Sequence, residues 1–223
     1  MPVIVKPSDI ESNSMQIIAA ELEERGIALP PGNAAVVKRV IHTTADFDYA
    51  DNLTFTKDAV ARGVNALSRG CGIVTDTNMA KAGVSKPALE KVGGTVACFM
   101  KEPAVVEAAK AEGTTRAVAA MQHAELVAPG AVYAVGNAPT ALLQLEEQLD
   151  TGMRPALIIA VPVGFVNVVE SKERIFAACE KYDVPCIAAM GRKGGSNVAA
   201  AICNALLYQA AELQDPEDRN WKT

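Results

Sequence analysis

From Cys71 onward the sequence repeats one unit: a short apolar run, a turn of glycine or small polar residues, then a helical pattern. The apolar runs at 71–75, 95–100, 131–135, 156–161 and 184–190 are the candidate strands. Helical spacing fills the gaps near 86–92, 103–126 (broken at Gly113), 138–150, 169–182 and 195–213. Strands alternating with helices at this interval need right-handed crossovers, and those produce a mainly parallel sheet with helices on both faces. The predicted fold is therefore α/β: a three-layer αβα sandwich on a Rossmann-like sheet. Composition agrees, because half the residues are hydrophobic while only 4% are aromatic. A core of Ala, Val, Ile and Leu suits helices packed on a parallel sheet. The 223 residues fit a single domain, 1–223, with no linker or low-complexity segment to divide it. Residues 212–223, with Asp215-Pro216-Glu217-Asp218, read as a charged, frayed tail, and Trp221 is given no role.

The first seventy residues are organised differently. Ser8 with Glu11 forms a capping-box pattern, Ile10, Ile17, Ile18 and Leu22 form a stripe, and Gly26 ends a first helix over 7–26. Ser12, Asn13 and Ser14 sit inside it. Pro30-Pro31-Gly32-Asn33 leads into a second helix, where Val36, Val37, Val40 and Ile41 bury one face. Arg39 and His42 are i, i+3 neighbours on the opposite face. A titratable imidazole thus stands beside a guanidinium on a helix that an apolar stripe holds in place. The bland alternative is a surface histidine near a helix end, where a cation is mildly favoured. Asp46 and Asp48 follow and read as solvated loop carboxylates rather than general acids. Residues 52–56 alternate like a strand, and 57–69 look helical up to Gly70.

In open α/β sheets ligands bind in the crevice beyond the carboxyl ends of the strands. The turns placed there are Asp76-Thr77-Asn78, Gly136-Asn137-Ala138-Pro139, Pro162-Val163-Gly164 and Gly191-Arg192-Lys193-Gly194-Gly195-Ser196. Glycine admits close approach to backbone, and helix N-termini offer amides to carboxylates. With Arg192 and Lys193 added, the last turn is the best anion site visible in the sequence. It fits neither GxxxxGK[ST] nor GxGxxG, which weakens a nucleotide-dependent reading. Arg116 falls at a helix start, where a cation opposes the helix dipole, so an anionic ligand or an interface carboxylate must explain it. Asp76, at the mouth of the sheet, can contact a ligand or simply cap its turn. His123 reads as structural.

Several function classes are disfavoured. A net charge of −5 and scarce aromatics argue against a nucleic-acid partner. Five scattered cysteines without a CxxC pair, and no signal peptide, indicate reduced thiols in the cytoplasm. No apolar run reaches the ~18 residues that span a membrane. Two distant histidines and no Cys/His cluster leave no protein-held metal site in view.

Residues 36–50, VVKRVIHTTADFDYA, resemble the histidine motif of the precorrin-8X methylmutase family. The likeness continues through IESNSMQII (10–18), VGNAPTALLQLEE (135–147), VPVGFVNVVESKE (161–173) and GRKGGSNVAAAICNAL (191–206), nearly the whole chain. The resemblance implies an isomerase that moves a methyl group from ring carbon 11 to ring carbon 12 of a carboxylated corrin precursor. It implies His42 as the proton donor and Arg39 against the substrate. It also adds Ser14 and Arg116, and the turn residues Asp76, Asn137, Arg192, Lys193 and Ser196 complete the expected substrate contacts. It further implies no cofactor, cobalt entering only with the substrate, and a homodimer or larger homo-oligomer with a shared site. The HTTADFDYA continuation looks more like the branch that acts on the cobalt complex. A corrinoid carrier without catalysis is the remaining alternative.

Overall fold

The computed structural model describes residues 6–219. Its strands are β1 (Leu53–Phe55), β2 (Ile73–Thr75), β3 (Val96–Ala97), β4 (Val132–Val135), β5 (Leu157–Ala160) and β6 (Cys186–Ala189). Before β1 come α1 (Pro7–Glu24), α2 (Pro31–Thr44) and the single turn α3 (Tyr49–Asn52); α4 (Ala59–Ser68) follows it. Between β2 and β3 lie α5 (Asn78–Gly83) and α6 (Lys86–Lys91), and between β3 and β4 lie α7 (Pro103–Ala111) and α8 (Arg116–Val127). Single crossovers α9 (Pro139–Asp150) and α10 (Val168–Lys181) join β4 to β5 and β5 to β6, and α11 (Ser196–Ala210) follows β6.

The six strands pair in the order β1-β6-β5-β4-β2-β3, all parallel except β1, which runs antiparallel on β6. Residues alternate between the two faces, as strand geometry requires. Val132, Ala134, Leu157, Ile159 and Ile187 join one core with α2, α4 and α11. Tyr133, Val135, Ile158, Ala160 and Cys186 join the other with α7 to α10. The α/β sandwich read from the sequence is thus the observed fold. Right-handed crossovers explain the strand order: the chain steps one way from β2 to β3, then the other way through β4, β5 and β6. The direction reverses between β2 and β4, so the crevice expected to take ligands opens there.

Three local expectations need correction. Ser8 and Glu11 do not form a capping box, because Pro7 starts α1 and no side chain caps it. Ser8 is instead buried, and Glu11 is engaged elsewhere. The segment from Glu212 is not frayed as far as Arg219: Leu213 is buried, and Pro216–Arg219 form a 3-10 turn docked on α1 and α11 through Arg219. Trp221 lies outside the described residues. Finally, the stretch after Asp76 is not only a turn: it continues into the six-residue helix α5, too short to show an apolar stripe.

The glycines of the last turn serve the chain itself. After β6 the chain crosses the carboxyl edge of β5 and β4 before α11 begins. A Cβ on Gly194, at φ +156°, would lie 2.1 Å from the Val161 carbonyl oxygen, and one on Gly136 would lie 2.7 Å from Ser196 Cα. Only glycine permits these backbone crossings. Gly194→Ala is expected to lower the unfolding free energy by about 3 kcal/mol or more, and Gly136→Ala by about 2 kcal/mol. Gly130→Ala, with open space around the added carbon, should be near neutral. Chemical denaturation of the three variants tests this ranking.

Candidate active site

The antiparallel strand decides where His42 lies. Leu53 pairs with Ala189, so β1 begins where β6 ends, and the chain just before it is delivered to the carboxyl edge. Met190 N donates to Asn52 O at 2.8 Å, which holds that junction. Lys193 closes it from above, its Nζ donating to Asp46 Oδ2 and Asp48 Oδ2, both at 2.6 Å. The end of the histidine helix is therefore tied to the glycine turn, and the two carboxylates are ion-paired, not merely solvated. Lys193 correspondingly stops being a free cation for substrate. The two carboxylates hold its pKa above the usual lysine value, and it draws the Asp46 carboxyl below its own.

His42 is half-buried on α2 and opens into a cleft of about 510 Å³ that also contains Ser14, Ile17, Glu21, Arg25 and Phe47. Helix α1 forms the facing wall, so the face of α2 opposite its apolar stripe is not simply solvent. Ser14 reaches this cleft while its hydroxyl donates to Ile10 O at 2.8 Å, the usual back-bond of a serine inside a helix. Burial is the largest influence on His42 and lowers its pKa; Arg39 and Arg219 push the same way, and Glu11 opposes them. Arg39 does not point to open solvent. Its guanidinium donates to Glu11 Oε1 at 2.6 Å, Arg219 donates to the same oxygen at 2.5 Å, and both arginines face the Tyr208 ring. Arg39 thus belongs to a largely buried Arg–Glu–Arg group, and through it acts on His42.

Asp76 stands at the switch point, 1% exposed. Its carboxylate accepts from the backbone amides of Gly136 at 2.9 Å and of Asn137 and Ala138 at 2.8 Å each. Both oxygens accept from this turn, so Asp76 takes the turn-capping role left open by the sequence and shapes the turn that presents Asn137. Burial still pushes its carboxyl up, against those three donors. Asn137 itself is exposed. Ser196, the first residue of α11, lies with its hydroxyl 2.8 Å from that of Thr77, which caps α5. The turns after β2 and β6 therefore meet. No side chain caps α11, so its first amides face the same rim.

Arg116 and Arg192 are different. Both are exposed, and among the described residues neither has a carboxylate partner. Arg116 opens α8, where Thr115 caps the helix and approaches Thr140 of α9 to 3.1 Å, at the same edge. Arg192 lies over the ring of Phe165, 5.4 Å away, in a loop after β5 where Phe165 is 83% and Val166 77% exposed. His123, by contrast, is 3.4 Å from Glu102 and edge-on to Phe99, away from the rim residues just described. Among the described residues no group of three His, Cys, Asp or Glu side chains is placed to hold a metal ion. No described helix is long and apolar enough to cross a membrane.

Sequence reading missed three participants. Glu11 sits in a capping-box pattern and Arg219 in the charged tail, where neither signals a buried ion pair. Lys172 lies at helical spacing from Val168, Ile175 and Cys179, on the buried face of α10. It is fully buried, and that burial lowers its pKa to about 8.

The carboxyl edge thus carries two exposed guanidiniums without a carboxylate partner among the described residues and an uncapped helix start, and Lys193 ties the end of the His42 helix to it. Comparison with known proteins assigns the family. The precorrin-8X methylmutase family model matches residues 9–209, and the chain belongs to that family. It is 44% identical to the cobalt-precorrin-8 methylmutase of Salmonella typhimurium, over 95% of this chain and 100% of that one. It is 40% identical to the precorrin-8X methylmutase of Pseudomonas aeruginosa, over 88% and 93% of the two chains. The solved precorrin-8X methylmutase of Thermus thermophilus superimposes with a TM-score of 0.81 at 38% identity, covering 91% of this chain and 98% of that one. All three are named for the methylmutase step, which leaves the carrier reading without support.

The His42 environment has a measurable consequence. Its imidazole should titrate below the ordinary ~6.5 in the resting protein, and the midpoint should rise in Arg39→Gln. The neutral form is favoured by folding, so this stabilisation is present above ~6.5 and is lost as pH falls through the lower folded value. NMR titration of the two histidines, assigned with His123→Asn, tests this; a His42 midpoint at or above 6.5 would contradict it.

Proposed function

We propose that this protein rearranges cobalt-precorrin-8 at its carboxyl rim, moving the methyl group from ring carbon 11 to ring carbon 12 to give cobyrinate. The observation that supports this is that, among the described residues, Arg116 and Arg192 have no carboxylate partner at the carboxyl edge, while Lys193 ties the end of the His42 helix to that edge. Methylmutases are isomerases of cobalamin biosynthesis. The cobalt-bearing substrate is supported by the HTTADFDYA segment and by the name of the Salmonella typhimurium relative. The metal-free substrate, precorrin-8X, is favoured by the Pseudomonas aeruginosa relative and is the competing arm of the test.

The reaction is formally a 1,5-sigmatropic shift. It needs no methyl donor, no nicotinamide and no covalent enzyme intermediate, and cobalt takes part only as a component of the substrate. The macrocycle must be held in one conformation while a proton donor draws electron density through the conjugated system. His42 supplies that proton and recovers it. With cobalt on the ring nitrogens, the imidazole addresses a ring carbon. Resting His42 is held neutral by burial and by the arginines; substrate carboxylates arriving at the rim raise its pKa toward the working range. Arg116 and Arg192 each grip a carboxylate by charge-assisted hydrogen bonds, with the α11 amides, Asn137, Ser196 and Ser14 lining the approach. Arg39, Lys193 and Asp76 hold the frame. Residues 1–223 act as one methylmutase domain without a further cofactor. The working assembly is a homodimer or larger, in which a second copy covers the exposed Phe165 loop. A cytoplasmic location agrees with five cysteines that form no disulfide.

Mixing the purified protein separately with the cobalt and metal-free substrates, and following absorption, tests the reading. Turnover completes the corrin conjugation and shifts the bands, and the cobalt substrate should react faster. His42→Ala should still bind while turning over roughly a hundredfold or more slowly. Arg116→Ala and Arg192→Ala should each raise KM about tenfold or more with a smaller change in kcat. Static spectra with both substrates would sink the isomerase assignment, and near-normal turnover in His42→Ala would remove the imidazole from the chemistry.

A further inference from the structure

We infer that Lys172 is a positioning residue: from inside α10 it clamps the two peptide carbonyls that flank Arg192 and so sets where that guanidinium stands on the rim. Its Nζ donates to Gly191 O at 2.9 Å and to Lys193 O at 2.8 Å. The side chain is 0% exposed, on the face of α10 that carries Val168, Ser171, Ile175, Ala178 and Cys179. Among the described residues it has no carboxylate partner.

An ammonium buried without a counter-charge is costly, and proteins rarely keep one for stability alone. Here the amine makes two hydrogen bonds, both to the turn between β6 and α11. Burial lowers its pKa to about 8, so at neutral pH it is still largely an ammonium, held by those two carbonyls. The turn needs such an anchor. It is rich in glycine, has no regular secondary structure, and Arg192 itself leans only on the exposed ring of Phe165. Lys193 is restrained through Asp46 and Asp48, so Lys172 supplies the restraint on the arginine side of the turn. A methionine of similar length would fill the same space and leave the two carbonyls without their donor.

The functional part of this inference rests on the proposed role of Arg192 in holding a substrate carboxylate. The experiment compares wild type, Lys172→Met and Lys172→Gln, the last keeping two N–H donors. Native-state trypsin cleavage after Arg192 or Lys193, located by mass spectrometry, reads the clamp without reference to activity. Lys172→Met should be cut at least about tenfold faster there, with a Tm within a few degrees of wild type. Its KM should rise about tenfold while kcat stays within about threefold, and Lys172→Gln should restore part of both effects. Unchanged cleavage and KM in Lys172→Met would overturn the inference. So would a lowered Tm with activity falling only in proportion to the folded fraction, or faster cleavage with an unchanged KM. If wild type converts neither substrate, the function reading fails, and the cleavage rates still decide the clamp.

Discussion

Six residues between β6 and α11 cross the carboxyl edge of the sheet in direct contact with its backbone, and the rim takes its form from that crossing. From β6 to β2 is three strand spacings, roughly 14 Å, and α11 reaches Thr77 beside β2 because its lead-in lies flat across β5 and β4. Gly195 N donates to Val161 O at 2.8 Å, so the segment is fastened as it passes. Asp76 draws in the neighbouring turn from below, Lys172 holds the carbonyls and Lys193 ties the segment to the end of α2. A site assembled this way rests on the sheet and helices rather than on a free loop, and that favours holding a large macrocycle in one reactive conformation.

Charge is divided with the same logic. The chain is acidic overall, yet a polycarboxylate must find cations. Cations that meet carboxylates within the fold do mechanical or electrostatic work: Lys193 as a tie, Arg39 and Arg219 as the field around His42. The exposed Arg116 and Arg192 retain their full attraction for an anion. A partner carboxylate on either would have to be displaced by substrate, at the cost of much of the binding. The Arg–Glu–Arg group also links both ends of the described chain to the helix that carries His42, so docking of α1 and of the Pro216–Arg219 turn bears on the basicity of that imidazole.

The strand–helix alternation made the layers and the carboxyl rim legible in the sequence, because burial on both faces of a parallel sheet writes continuous apolar runs. It could not disclose that β1 pairs antiparallel with β6, since a three-residue strand carries no direction in its composition. Yet that pairing is what brings the end of the His42 helix beside the glycine turn, where Lys193 meets Asp46. The position of Arg116 at a helix start was readable from Thr115 and Gly113. The fate of Arg39, Lys193 and Asp76 was not, because their partners Glu11, Asp46 and the amides of 136–138 lie 28 to 147 residues away in sequence. Pairing over such separations follows from tertiary packing alone. Lys172 was in principle visible as a charged residue on an apolar helical face, where a cation is out of place unless something buried receives it.

If the carboxyl rim holds the macrocycle between His42 and the crossing turn, a crystal structure of the assembled protein with cobyrinate bound will show it. The corrin should lie over the ends of β4, β5 and β6, with its carboxylates on Arg116 and Arg192 and the His42 imidazole against the ring beside carbons 11 and 12. A macrocycle bound at the opposite edge of the sheet, or out of reach of His42 from every subunit, would contradict it.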